Sequence, residues 1–149
     1  MPEWLRIARL FKGIRETIGG KLNPKVAEFF KATHFPLAKL TSTTPWCAAL
    51  VSYALEQAYA PSPRTANAAA CAAFGEECEP KLGAIIVLAP GVQGAGISGH
   101  VGFYEGTLTP ESFWLFSGNC MNTAKSHVYP VSRIVACRWP VIGEGPRAA

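Results

Sequence analysis

The chain has 149 residues, 49% hydrophobic and 16% charged, a balance that fits one folded domain with its own core and excludes a disordered chain. Its formal net charge of +4 is gathered at one end, where residues 1–40 hold eight Lys and Arg against three Glu, a basic third suited to an anionic polymer such as nucleic acid or cell wall. All ten acidic residues are Glu, which excludes any mechanism that needs an Asp, the Ser-His-Asp triad and most Mg²⁺ sites among them.

Residues 4–18 read as an amphipathic helix, with Leu5, Ala8, Phe11 and Ile18 at near-helical spacing and Gly19-Gly20 as its stop. Residues 1–11 carry Arg6 and Arg9 inside the apolar pattern and have no small-residue cleavage site, so no signal peptide is expected. Asn23 then caps a second helix with Pro24 at its first position, and Val26, Phe29 and Phe30 form its apolar side. Thr44 is the expected cap of a third helix over 45–59, with Pro45 at its start; it is apolar on most sides and therefore buried. Pro61 and Pro63 end it, and the Ala-rich residues 66–74 read as a shorter fourth helix.

The character changes after Pro80. Residues 82–88 are β-branched and apolar, as in a central strand, and 84–89, the longest clean apolar run, is too short to cross a bilayer. A loop with four glycines follows over 90–99, then strands at 100–105, 112–116, 125–129 and 133–138. Strands in succession without helices between them pair antiparallel. The plan is α+β: N-terminal helices packed on an antiparallel sheet of about five strands. Residues 1–149 form a single domain on this reading, with a core over about 4–140 and a frayed tail over 141–149.

The cysteines are Cys47, Cys71, Cys78, Cys120 and Cys137. An odd number leaves one thiol unpaired in a monomer, and no pair has CxxC spacing, so neither a metal nor another cofactor is expected. Apart from Cys47, the four either form up to two disulfides in an oxidising compartment or pack as apolar fillers.

Cys47 falls in the first turn of the third helix, where free N–H groups and the helix dipole favour an anion. A thiolate there, with a His close by, has a lowered pKa; alone, the residue reads more readily as a buried small hydrophobe. His100 opens an apolar strand between Gly99 and Gly102, as a catalytic base or as a strand-edge residue facing water. His34 and His127 sit among solvent-type residues and read as surface histidines. Asn119, just past Ser117-Gly118, can orient the His100 ring through its amide oxygen or simply make a turn. Glu105, five residues along the strand from His100, is a weaker alternative, and Ser117 or a backbone carbonyl is a further one.

Thr-Pro-Trp-Cys-Ala-Ala-Leu-Val (44–51), Gly-His-Val-Gly-Phe-Tyr (99–104), Ser-Gly-Asn (117–119) and Arg-Trp-Pro (138–140) together resemble the NlpC-type and CHAP superfamily of cysteine peptidases, over about residues 4–140. The nearest match is a small subgroup in which Pro-Trp-Cys-Ala-Ala opens the central helix and Gly-His-Val-Gly-Phe-Tyr opens a strand. The resemblance implies a papain-like fold, with Cys47 as nucleophile, His100 as base and Asn119 as the orienting residue. It also implies cleavage of an amide bond in or next to the peptidoglycan stem peptide. Two words depart from the family. Lys81-Leu82-Gly83-Ala84 stands where it usually has Pro-Gly-Asp, and Ser117-Gly118-Asn119-Cys120 where it tends to have Gly-Gly-Asn-Gln.

The expected activity is therefore that of a cell-wall hydrolase. Trp46 and the glycine loop would wall its groove, with Trp46 reading equally as a residue of the core. A catalytically inactive papain-like module that holds peptide is the alternative. The basic N-terminal third reads as a solvated helical face, so no nucleic-acid partner is expected. The enzyme would be a monomer with no integral membrane segment. It would be made in the cytoplasm and act in the periplasm or wall of a lysing or target bacterium. It would arrive there as a phage-type endolysin or as a toxin injected by a secretion apparatus such as type VI. The toxin route implies a cognate immunity protein.

Overall fold

A computed structural model describes residues 1–91 and 99–141. The architecture is mixed α+β. Three helices, α1 (Glu3–Arg9), α2 (Pro24–Phe29) and α3 (Cys47–Gln57), precede most of the strands. The main sheet has six strands: β3 (Glu76–Glu77), β4 (Ile85–Leu88), β5 (His100–Thr109), β6 (Ser112–Cys120), β7 (Thr123–Pro130) and β8 (Ile134–Trp139). Their order is β3-β8-β4-β5-β6-β7, antiparallel throughout. A small hairpin, β1 (Thr17–Ile18) with β2 (Lys21–Leu22), stands apart.

The central helix is α3. Eight of its eleven residues are buried, as a helix apolar all round must be. It lies against the face of the sheet that carries Ile85, Val87, Val101, Phe103 and Phe116. Strand alternation sends Ile86, Leu88, Tyr104, Leu115 and Tyr129 into a second cluster on the other face. That cluster draws on strands and their flanks and includes no helix residue. A sheet buries such a face by bending, and β4, β5 and β6 each carry a bulge or register shift.

Asn23 caps α2 as its sequence implies: its Oδ1 accepts from Lys25 N–H at 2.9 Å, and Pro24 occupies the first helical position. The expected helix over 4–18, however, ends at Arg9. Its second half makes sheet-like contacts instead. Gly13 N–H donates to Ala124 O at 2.8 Å, Glu16 N–H donates to Asn122 O at 2.8 Å, and Arg15 bridges to Thr123. Gly19-Gly20 is thus the turn between β1 and β2 rather than a helix stop. Both glycines have positive φ, +59° and +80°, as a two-residue hairpin turn of the I′ type requires.

The expected helix over 66–74 is a 3₁₀ segment, Ala69–Ala73. Thr44 does not cap α3. Its Oγ1 accepts from Thr41 N–H at 3.0 Å, and Trp46 is the N-cap without a side-chain hydrogen bond. The expected strands at 100–105, 112–116 and 125–129 all run longer. The sixth strand, β3, consists of two exposed glutamates paired with β8. Most of the expected glycine loop lies outside the described residues, as does the tail beyond 141.

Candidate active site

Cys47 is the first residue of α3 and is 4% exposed. α3 packs against β5, and its first residue brings the Cys47 sulfur to the backbone N–H of Val101, the residue after His100. The N–H groups of Ala48 and Cys47 itself also point to the sulfur. Burial nonetheless dominates and pushes the thiol above its ordinary value, with those three N–H groups pulling back. The lowered pKa expected from helix position alone is therefore corrected. A helix end offers partial charge, but a fully desolvated sulfur loses more than that charge returns.

His100 is 1% exposed, so it is not a strand-edge histidine facing water. Alternation places it on the face of β5 that carries Gly102 and Tyr104. There its Nε2 lies 2.7 Å from Ser117 Oγ, and its ring centroid is 5.8 Å from that of Tyr129. Burial lowers its pKa to about 4, with the nearby His127 adding to the effect. No hydrogen bond joins Cys47 to His100, and at neutral pH both groups are uncharged. The pair is thus a thiol at the start of α3, on the face of the sheet that carries Val101, and a neutral imidazole on the other face of β5, not a preformed ion pair.

The ring's partner is Ser117 rather than Asn119. Gly102 allows this, because a Cβ on it would fall 2.8 Å from Ser117 Cβ and 2.5 Å from Phe116 O. Behind Ser117, the Tyr129 hydroxyl lies 3.4 Å from Cys120 Sγ, and Ser117 is near enough to draw the phenol's pKa down slightly. Desolvation, then Cys120, holds the Tyr129 phenol well above its ordinary value, so the whole chain from His100 to Tyr129 is neutral. Asn119 sits at a bulge with φ +56°, and its Oδ1 is buried without a hydrogen-bond partner. The hairpin turn itself is Met121-Asn122, two residues on, both at positive φ.

Two other expectations are corrected. Trp46 does not wall a groove. It is fully buried, stacked on Phe29 with centroids 6.1 Å apart, and a Cβ on Gly118 would strike its ring at 2.7 Å. Its indole N–H is turned toward the Glu16 carboxylate without completing a hydrogen bond. Glu105 cannot orient His100, because it is held by Arg9 Nε at 2.7 Å and by Ser126 Oγ at 2.5 Å. His34 is exposed, as expected. His127 is half-buried, its ring 5.0 Å from Tyr129.

Tyr129 is missed by the sequence reading, which ranks Ser117 behind Asn119 as the group that orients the ring. The available signal was period-2 alternation. Extending β6 past Phe116 puts Ser117 beside Gly102, on the face that carries His100.

Among the described residues, an open cavity of about 470 Å³ is lined in part by Thr44, Pro45, Arg64 and Asn67. It reaches the two residues just before Trp46-Cys47. No group of three or more His, Cys or Glu side chains among the described residues is placed to hold a metal ion. No helix among them is long and apolar enough to cross a membrane. Neither a scan with protein-family models nor a search of curated proteins finds a match to the chain.

Burial of neutral His100 carries a pH signature. A depressed folded pKa means that the unfolded chain binds more protons between pH 6.5 and about 4, so stability falls as pH drops through that window. The loss should be on the order of 3 kcal/mol and should level off below pH 4. His127, lowered mainly by burial, has the same sign, whereas Glu16, raised mainly by burial, has the opposite one. Urea unfolding at pH 7 and pH 4.5 should show the loss, and His100→Asn should remove most of it. An equal slope in the variant would place the acid sensitivity elsewhere.

Proposed function

We propose that the chain is a papain-like thiol hydrolase of the bacterial cell wall, which cleaves an amide bond in or next to the peptidoglycan stem peptide. The observation that carries this reading is the convergence of Cys47, at the start of α3, on the backbone of β5 next to His100, whose Nε2 is already engaged by Ser117. The sequence words around these residues support it. The open cavity beside Thr44 and Pro45 supplies an approach for a peptide.

In this reading Cys47 Sγ attacks the amide carbonyl carbon, and its proton is taken by His100, which lies across the start of β5 from Cys47 on the face that carries Gly102 and Ser117. Because both groups rest neutral, His100 acts as a general base during attack rather than storing a thiolate beforehand. The backbone N–H of Cys47, which rests against the sulfur, donates to the oxyanion as the carbonyl carbon bonds to that sulfur. His100 then protonates the leaving amine, and water activated by His100 hydrolyses the thioester. Asn119, with its unpartnered amide oxygen beside this strand end, serves as a polar support of the site.

Ser117 and Asn119 are separable by experiment. Ser117→Ala should change the ¹⁵N shifts of the His100 ring and lower turnover roughly 10- to 100-fold, more than the single neutral hydrogen bond it removes, because ring orientation is lost with it. Asn119→Ala should leave the ring shifts unchanged. The reverse pattern would make Asn119 the orienting group.

The second reading, a peptide-binding module without activity, is favoured by the absence of a Cys47–His100 hydrogen bond. A suspension of purified cell walls distinguishes the two. A hydrolase clears it, whereas a binding module sediments with the walls and leaves turbidity unchanged.

A further inference from the structure

Cys78 and Cys137 lie away from the candidate site and face each other across two strands. β3 pairs with β8 through Glu77↔Arg138 and Glu76↔Trp139. One step further, Cys78 N–H donates to Cys137 O at 3.1 Å, and the two sulfurs are 3.6 Å apart. Directly opposed residues of an antiparallel ladder have Cα atoms about 4.5–5.5 Å apart, inside the roughly 4.4–6.8 Å that a disulfide spans.

The other three thiols are engaged differently. Cys71 Sγ points to Asn67 O at 3.8 Å, Cys120 Sγ meets the Tyr129 hydroxyl, and Cys47 lies against Val101. All three are buried, whereas Cys78 is partly exposed.

We propose that Cys78 and Cys137 form the protein's one intramolecular disulfide when it enters an oxidising compartment, and that this bond ties β3 and the preceding 3₁₀ segment to β8. The oxidant is a disulfide donor of the glutathione class. The Cys78 thiolate attacks one sulfur of the donor, breaking its S–S bond and releasing one thiolate. Cys137 then attacks the Cys78 sulfur and releases the second. Two protons leave the protein, and its two electrons reduce the donor to two thiols. Cys78 goes first because it is the exposed member. Burial and the hydrogen bond with Cys78 push the Cys137 thiol up to about 12, with the Lys81 ammonium drawing it back. The bridge closes a loop of about 60 residues, which constrains the unfolded chain strongly.

This inference is independent of the chemistry proposed at Cys47. The test is to equilibrate the folded full chain with a mixture of oxidised and reduced glutathione, denature it in acid, alkylate the free thiols and map the peptides after digestion with trypsin and a Glu-specific protease. The expected result is three alkylated cysteines, Cys47, Cys71 and Cys120, and one linked pair, Cys78 with Cys137. The linked protein should melt roughly 5–15 °C above the reduced one, a difference that Cys78→Ser abolishes. Five alkylated cysteines, a glutathione adduct left unresolved on Cys78, or a bridge to any other cysteine would overturn the proposal.

Discussion

Cys47→Ala is expected to abolish hydrolysis of cell walls, lowering turnover by about 10⁴–10⁶-fold, while the protein stays folded. The expectation of intact folding rests on size. Alanine keeps the helix start, and only one sulfur atom leaves the contact with Val101, a loss comparable to a small core truncation of about 1 kcal/mol. Circular dichroism and the urea midpoint check the fold, and release of soluble muropeptides checks the activity. A folded Cys47→Ala protein with undiminished release would remove the thiol mechanism altogether.

His100→Ala should be about as damaging, and the double variant Cys47→Ala/His100→Ala little worse than either single one. Nucleophile and base act as one unit, so their losses do not add. The two effects on stability differ from the two effects on rate. His100 is buried with a depressed pKa, so its removal also relieves the cost of keeping an imidazole neutral in acid, and the variant should be less acid-labile than wild type. His34→Ala, at an exposed position, should be neutral. His127→Ala should leave turnover nearly unchanged, since its ring touches Tyr129 and not the reacting groups. An inactive His127→Ala with an active His100→Ala would reverse the assignment of the base.

The elements that the chain spells locally were readable without coordinates. Asn23-Pro24 starts a helix because the side chain of one and the ring of the other satisfy its first turn. The apolar character of residues 47–55, broken only by Ser52, can only be buried, and the β-branched run before Pro90 can only be a central strand. What failed was decided at long range. Residues 13–16 have a helical pattern, yet their backbone groups find Asn122 and Ala124. Thr44 has the chemistry of a cap but bonds to Thr41 instead.

The site divides in the same way. Cys47 and His100 stand out because a thiol at a helix start and a histidine between glycines at a strand start are local facts. Their protonation was not legible. Helix position argues for a thiolate, whereas the burial that opposes it comes from β5 and from the packing around α3. Ser117 ranked behind Asn119 because its place depends on the register of β6 against β5, and the choice for Trp46 between groove and core is made by Gly118, seventy-two residues away, which opens the space that its ring fills.

The most direct test of a thiol amide hydrolase is to digest purified peptidoglycan with wild type and with Cys47→Ala and to identify the new termini by mass spectrometry. The account predicts that wild type creates matched new amino and carboxyl ends at one type of amide bond, and that Cys47→Ala creates none. New reducing sugar ends, unaltered peptidoglycan with folded wild type, or the same new termini from Cys47→Ala would contradict it.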